Sequence, residues 1–309
     1  MAFTAQDVKK LREMTNVGMM DCKKALQATD GDMDKAVDWL REKGLAKAAK
    51  KASRIAAEGV AYATVINGIG VVIEVNSETD FAAKTDAFMD LVKNLAIVVA
   101  EQNPADVEAL KACTYPNSSL TGTEIMQEKV MSIGENMQIR RFARFAENTS
   151  VAYVHAGGSH GVLVNLAVEG DIDATEVGKN VAMQIAAMGA KYWDKSMVPQ
   201  AEVDKEMSVQ LALMENDPKM ASKPAQVKEK IAAGKIAAFF KEICLLQQEF
   251  VRGDLFKGDV AGYIADAAKK LGGKVTFVDA IHYTKGEGIE KKEENFADEV
   301  AAQIAGAAK

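Results

Sequence analysis

The sequence predicts an α+β fold, and three observations carry that prediction. Apolar residues recur at helical spacing from Val8 to Leu40; Asn67-Gly68 separates two β-rich runs; and the order strand, strand, helix, then helix, strand occurs twice along the chain. The architecture implied is an N-terminal three-helix module, two related α+β subdomains with antiparallel sheets, an inserted antiparallel helical hairpin and a C-terminal helix. The expected boundaries are 1–54 for the module and its linker, 55–146 for the first subdomain, 147–199 with 245–285 for the second, 200–244 for the hairpin, and 286–309 for the terminal helical module.

Each element has a local reason. Thr4 caps a segment with Asp7 at its third position and Val8, Leu11 and Met14 on one side. Beyond the Asn16 to Gly18 turn, Met20, Cys22, Ala25 and Leu26 predict a second helix, closed by Asp30-Gly31. Asp32 caps a third, with Met33, Ala36, Val37 and Leu40 inward and Gly44 as its stop. Residues 45 to 58 are Ala- and Lys-rich without a strong apolar stripe and read as a helical linker. Val60 to Ile66 and Ile69 to Val75 then flank Asn67-Gly68, a pair suited to the positive φ angles of a two-residue hairpin turn. Phe88, Leu91, Val92, Leu95, Val98 and Val99 predict a long helix, with Thr79 or Asp80 as its cap. Thr121 with Glu124 forms a capping box ahead of Met126, Val130 and Ile133; Gly134 ends that helix, and Met137 to Phe145 reads as a strand.

The second subdomain repeats the order. Val151 to His155 and Val162 to Val168 flank the glycine-rich turn Gly157 to Gly161, and Asp173 with Glu176 caps a helix carrying Val177, Val181, Ile185 and Met188. Val260, Ile264 and Leu271 mark a helix stopped by Gly272, followed by a strand from Lys274 to Tyr283. Between these lie two stripes, Val203, Met207, Leu211 and Met214, then Val227, Ile231 and Ala238, punctuated by Pro218 and Pro224, which predict the hairpin. Asn295, Phe296, Val300 and Ile304 predict the terminal helix.

Composition narrows the function. The 309 residues are 48% hydrophobic and 27% charged, which excludes a disordered or fibrous chain. A net charge of -6 argues against general nucleic-acid coating, so any basic surface is local. The N-terminus lacks a signal-peptide order, and the most apolar stretch, Ala96 to Ala100, is too short to span a bilayer; a soluble cytoplasmic chain is expected. Cys22, Cys113 and Cys244 are odd in number and outside any CxxC pair, pointing to neither disulfides nor zinc.

Catalytic motifs are absent. There is no Walker A sequence, HExxH or GxSxG, and Gly68-Ile69-Gly70 opens a strand, where a dinucleotide fingerprint opens a helix. No cofactor and no metal are expected. His155 and His160 flank a glycine turn, yet lack Cys or acidic partners at ligand spacing, and read as hydrogen-bonded turn residues. Lys43, Lys47, Lys50, Lys51 and Arg54 share a helical face that could meet phosphate or an acidic partner; a solvated linker is the simpler reading, since no aromatics are interleaved. The sharpest question lies at 74 to 84, EVNSETDFAAK. Asp80 alone is most simply a helix cap, and Phe81, seven residues before Phe88, is allowed by periodicity to be core.

LREMTNVGMMDCKKAL at 11 to 26 and EVNSETDFAAK at 74 to 84 closely resemble the two signatures of bacterial elongation factor Ts. The resemblance continues through IGENMQIRRFA at 133 to 143, HGVLVNLAV at 160 to 168 and GEGIEKKEENFADEV at 286 to 300. It implies a UBA-like N-terminal module, two related subdomains, a protruding coiled-coil hairpin and a C-terminal helix. It further implies a guanine-nucleotide exchange factor for the translational GTPase elongation factor Tu, without catalytic side chains or a bound nucleotide of its own. Thr79, Asp80 and Phe81 would be the partner-binding turn, with the Phe81 ring wedging into the G domain near its magnesium site. Lys23, His155, Phe250, Val251 and Arg252 would be secondary contacts. Ala82 stands where the family typically has valine, and Glu249 stands where a proline usually fixes the turn. A homodimer, or a heterotetramer with the GTPase, is compatible with the family, while nucleic acid and membrane are not expected partners.

Two other classes remain open on the sequence alone. A nucleic-acid binder would use the 43 to 54 lysines and show steep salt dependence. A scaffold would join partners through the module and hairpin without altering nucleotide exchange.

Overall fold

The computed structural model describes residues 3–15 and 17–290, so the helix expected around Phe296 lies outside the described residues. Among them are twelve α-helices and two antiparallel three-stranded sheets, an α+β fold. The two sheets have matching orders, β1 (Glu58–Ile66), β2 (Ile69–Ser77), β3 (Met137–Phe145) in one and β4 (Thr149–His155), β5 (His160–Glu169), β6 (Lys274–Thr284) in the other, so each keeps its hairpin together and adds the later strand beside its second member. The chain forms two compact units. One takes its described residues from Met1–Val60, Glu74–Arg141 and Thr284–Lys309, and the other from Ala61–Ile73 and Phe142–Tyr283.

In the first unit, α1 (Ala5–Thr15), α2 (Met19–Ala28) and α3 (Met33–Lys51) enclose a small core of Val8, Leu11, Val17, Cys22, Ala25, Leu26, Ala36 and Leu40. Thr4 and Asp7 bond reciprocally at the start of α1, the Asp7 amide donating to Thr4 Oγ1 at 3.3 Å and the Thr4 amide to Asp7 Oδ2 at 2.7 Å. Met14 and Met20, expected inward, are 56% and 65% exposed, because a core this small cannot cover the ends of three short helices. Gly44 does not stop α3. The helix runs through it to Lys51, and a Cβ at Gly44 would lie 2.0 Å from Met131 Sδ of α7 (Gly122–Ile133), so this glycine permits close helix packing. The end of α3 is held by polar contacts: Lys51 Nζ donates to the Gly134 carbonyl, and Asn136 Nδ2 donates to the Arg54 carbonyl at 2.8 Å.

The hairpin of β1 (Glu58–Ile66) and β2 (Ile69–Ser77) turns at Asn67 and Gly68, whose φ angles of 50° and 81° match the positive values this pair favours. The long helix expected from Thr79 is instead two. Thr79 caps α4 (Asp80–Ala83), a single turn; Thr85 then caps α5 (Asp86–Gln102) by accepting from the Phe88 amide at 3.3 Å. α6 (Val107–Ala112) leads to α7, where Thr121 and Glu124 form the expected capping box and Gly134 closes the helix in the left-handed conformation at φ 89°. β3 (Met137–Phe145) follows.

The second unit places α8 (Thr175–Met188) and α12 (Val260–Leu271) with β4 (Thr149–His155), β5 (His160–Glu169) and β6 (Lys274–Thr284) around Val164, Leu166, Val181, Ile185 and Ile264. β4 and β5 are antiparallel, with Val151 opposite Val164 and His155 opposite His160. Asp173 does not form the expected capping box on Glu176; its Oδ1 accepts from the Thr175 amide at 2.8 Å, and α8 begins one residue beyond Ala174. α9 (Gln200–Asn216), the single turn α10 (Pro218–Ala221) and α11 (Ala225–Ile243) make a helical hairpin. Met214 is buried on α9, but on α11 the buried residues are Ala232 and Ile236, and the expected Val227 and Ala238 are exposed. Alanine and glycine throughout this helix weaken the contrast from which a stripe is read.

Gly178 on α8 faces β4, where an added Cβ would lie 2.4 Å from Val151 Cγ2 and 2.6 Å from its Cβ. Valine is stiff at χ1, so the contact does not relax by rotation. Gly178→Ala is therefore expected to lower the melting temperature by about 2–4 °C, overpacking of about 2 kcal/mol exceeding the helix-propensity gain of about 1 kcal/mol. A rise in a thermal scan would contradict this packing.

Candidate partner-binding site

The 74 to 84 stretch is built to display a ring. β2 ends at Ser77, whose hydroxyl donates to the Thr79 carbonyl at 2.8 Å. Thr79 is extended, at φ -125° and ψ 158°, and its Oγ1 accepts from the Ala82 amide at 3.2 Å, starting α4. Ala82 and Ala83 turn into the unit and are each 5% exposed, whereas Phe81 points away and is 80% exposed. The core alternative for Phe81 is thereby excluded. The ring is thus available to another molecule at no cost in internal packing.

Asp80 and Lys84 frame the ring. Lys84 Nζ lies 2.5 Å from Asp80 Oδ2 and 5.9 Å from the centre of the Phe81 ring. The hydrogen bond from Lys84 holds the Asp80 carboxyl below the usual carboxylate range, so it is ionised at neutral pH and complements the start of α4. Lys84 is legible in the sequence as an i,i+4 partner of Asp80.

Glu135 is the residue that sequence reasoning missed. Its Oε2 accepts from the Thr79 amide at 2.9 Å and its Oε1 from the Thr79 hydroxyl at 2.6 Å. Next to it, the Asn136 amide donates to Glu78 Oε1 at 2.6 Å, and Arg54 Nη1 lies 3.4 Å from Glu78 Oε2. Glu135 stands inside the IGENMQIRRFA stretch, but its partner is 56 positions away, so only an alignment-derived contact signal could have paired them.

Upstream, β2 is fixed by a buried ionic centre. The Glu74 side chain is fully buried; Oε1 receives Arg140 Nη1 at 2.9 Å, the Gly286 amide at 2.8 Å and Asn76 Nδ2 at 3.2 Å, while Oε2 receives Arg141 Nε at 2.7 Å. Burial pushes the carboxyl pKa up, but the Gly286 amide, the two guanidiniums and Asn76 together outweigh it, and the net direction is down.

The other expected residues stand apart from this turn. Lys23 is exposed on α2. In the second unit, His155 Nδ1 is 2.9 Å from Tyr153 Oη, and His160 Nδ1 is 3.0 Å from His282 Nε2. Among the described residues no group of three or more His, Cys, Asp or Glu is arranged to hold a metal. Phe250 is 3% exposed and stacks on Tyr263 with ring centres 4.0 Å apart, so its ring belongs to the core of its own unit and offers no surface. Val251 is 45% exposed, and Arg252 forks onto Asp254 at 2.8 and 2.9 Å. Without a proline at 249, this turn is held by buried Gln184, which accepts from the Val251 amide at 2.8 Å and donates to the Glu249 carbonyl at 3.2 Å.

Comparison with known proteins bears on the whole chain. The family model described as elongation factor TS matches residues 78–287. Elongation factor Ts of Clostridioides difficile strain 630 is 45% identical over 308 residues, covering 98% of this chain and 99% of that protein. The chain belongs to the elongation factor Ts family. The matched region of this elongation factor Ts family member begins at Glu78, so it takes in Thr79, Asp80, Phe81 and Glu135. The three-helix module lies outside the family model but inside the similarity to the clostridial protein.

Proposed function

We propose that the chain is a guanine-nucleotide exchange factor of translation elongation. It binds elongation factor Tu in its GDP form and promotes GDP release so that GTP can rebind. Family membership supports the role, and one structural observation carries the mechanism: Phe81 is 80% exposed on a capped, cross-braced turn. A ring held in that way enters a partner's pocket without first losing packing in its own protein, which is how a few aromatic residues come to dominate an interface.

The partner holds GDP through oriented backbone donors and Mg²⁺, whose near-octahedral shell tolerates little displacement. In this reading Thr79, Asp80 and Phe81 form the intruding turn. Phe81 separates elements beside the metal, and Asp80 brings negative charge near a site that a divalent cation and phosphates share. The factor loosens nucleotide without touching it, and needs neither a catalytic side chain nor a cofactor. GDP and GTP are released and rebound alike, so the nucleotide pool decides the product.

Lys23, His155, Val251 and Arg252 are the secondary contacts in this reading. The N-terminal module is taken as UBA-like, and the α9–α11 hairpin as a coiled coil able to support a homodimer or a heterotetramer with the GTPase. No helix among the described residues is long and apolar enough to cross a membrane. A cytoplasmic place of action goes with the proposed role in translation elongation. Release of fluorescently labelled GDP from elongation factor Tu is expected to accelerate at about micromolar chain, in the range where protein partners of this kind associate. An unchanged release rate would contradict the exchange reading and leave a scaffold.

A further inference from the structure

We propose that Glu135 is a positioning residue for exchange, acting through Thr79 on the presentation of Phe81. The proposal rests on the exchange reading and adds to it a residue outside the 74 to 84 stretch.

α4 is only four residues long, and a single helical turn is unfavourable by itself, since several backbone angles are fixed for one hydrogen bond. Its existence depends on its cap. Every polar group of Thr79 that could otherwise move is engaged: the amide and hydroxyl donate to the two oxygens of Glu135 at 2.9 and 2.6 Å, and the carbonyl accepts from buried Ser77 at 2.8 Å. The consequence for the cap is directional. A threonine hydroxyl rotates freely unless its proton is committed. With that proton on Glu135, a lone pair faces the Ala82 amide, whose bond to Oγ1 at 3.2 Å begins the turn carrying Phe81. The Asn136–Glu78 bond at 2.6 Å repeats the same cross-connection one residue earlier, so the approach to the turn is tied twice to the segment after α7.

Without Glu135, the hydroxyl chooses among rotamers and the turn frays for part of the time. Within the complex, which other surfaces hold together, exchange then falls with the fraction of complexes that display the ring, a loss that more factor does not restore. Association, which draws on other surfaces too, changes less.

The test uses the full chain and labelled GDP release from elongation factor Tu, titrated to saturation. Glu135→Ala is expected to lower the maximal release rate about tenfold, as the loss of two charge-assisted bonds at a cap implies, with the half-saturating concentration moving less than about threefold. Glu135→Gln, which keeps an acceptor for the hydroxyl but sets a donor against the Thr79 amide, is expected to recover part of the rate. In a Phe81→Ala background, Glu135→Ala is expected to cost nothing further, because it acts through that ring. The assignment is overturned if Glu135→Ala matches the wild type at saturation, or if it lowers the rate equally in both backgrounds. A wild-type chain that fails to accelerate release overturns the exchange reading, and this assignment with it.

Discussion

Phe81→Ala is expected to leave folding stability within about 0.5 kcal/mol of the wild type while removing most of the exchange activity. The two halves of that expectation have separate causes. The ring is 80% exposed, so its removal opens no cavity, and Ala82 and Ala83, which do anchor the turn, are untouched. The partner loses an aromatic anchor, and truncation of such anchors commonly costs about 2–4 kcal/mol, or roughly 30- to 1000-fold in rate if the contact is made chiefly while nucleotide leaves. Thermal unfolding and labelled GDP release, measured on the same preparation, check both halves. A melting temperature many degrees lower would mean that Phe81 packs internally; an unchanged release rate would remove it from the mechanism.

The second large effect concerns stability. Glu74→Gln is expected to cost about 3 kcal/mol locally, because breaking a buried ion pair leaves two guanidiniums facing a neutral group. The amide also turns a donor toward Arg141 Nε, where Oε2 now accepts at 2.7 Å. Protection of the β2 and β3 amides against hydrogen exchange is expected to fall about 100-fold. The pH dependence has a definite sign. Since the Glu74 carboxyl is lowered in the folded state, its stabilisation is complete above the ordinary carboxylate pKa of about 4.3 and is lost as pH falls through the lowered native value. Protection in the wild type therefore declines as pH falls below about 5, more steeply than in Glu74→Gln. Equal protection in the two proteins at neutral pH would show that the centre is not stabilising β2.

Much of the fold was legible where the cause is local. Asn67-Gly68 needs positive φ and has it; Thr121 and Glu124 cap reciprocally because they are three residues apart on one turn. Gly44 departs from expectation because two different physical demands select the same residue. A glycine can end a helix or admit a neighbour, and only Met131, 87 positions later, distinguishes them. Phe81 shows why periodicity fails across a break. The seven-residue spacing to Phe88 holds for one continuous helix, but Thr85 restarts the helix with its own cap, so the phase is lost between them. The Thr85-Asp86 signal was in the sequence and belonged to the same class of evidence as Thr121. Glu135 is different. Its role comes entirely from meeting Thr79 across the fold, and no local pattern of charge or spacing encodes it. Phe250 joins the same lesson from the other side, since motif position suggested contact while burial against Tyr263 assigns the ring to packing.

In the proposed mechanism the Phe81 ring couples this chain to nucleotide held by the GTPase. The direct measurement is the affinity of elongation factor Tu for GDP with and without saturating chain, for the wild type and Phe81→Ala. A coupling of about 5- to 150-fold is expected for the wild type, with GDP weakening the chain's own binding by the same factor, as linkage requires. For Phe81→Ala the coupling is expected to fall close to one while binding to the nucleotide-free GTPase persists. The same coupling in both proteins would contradict it.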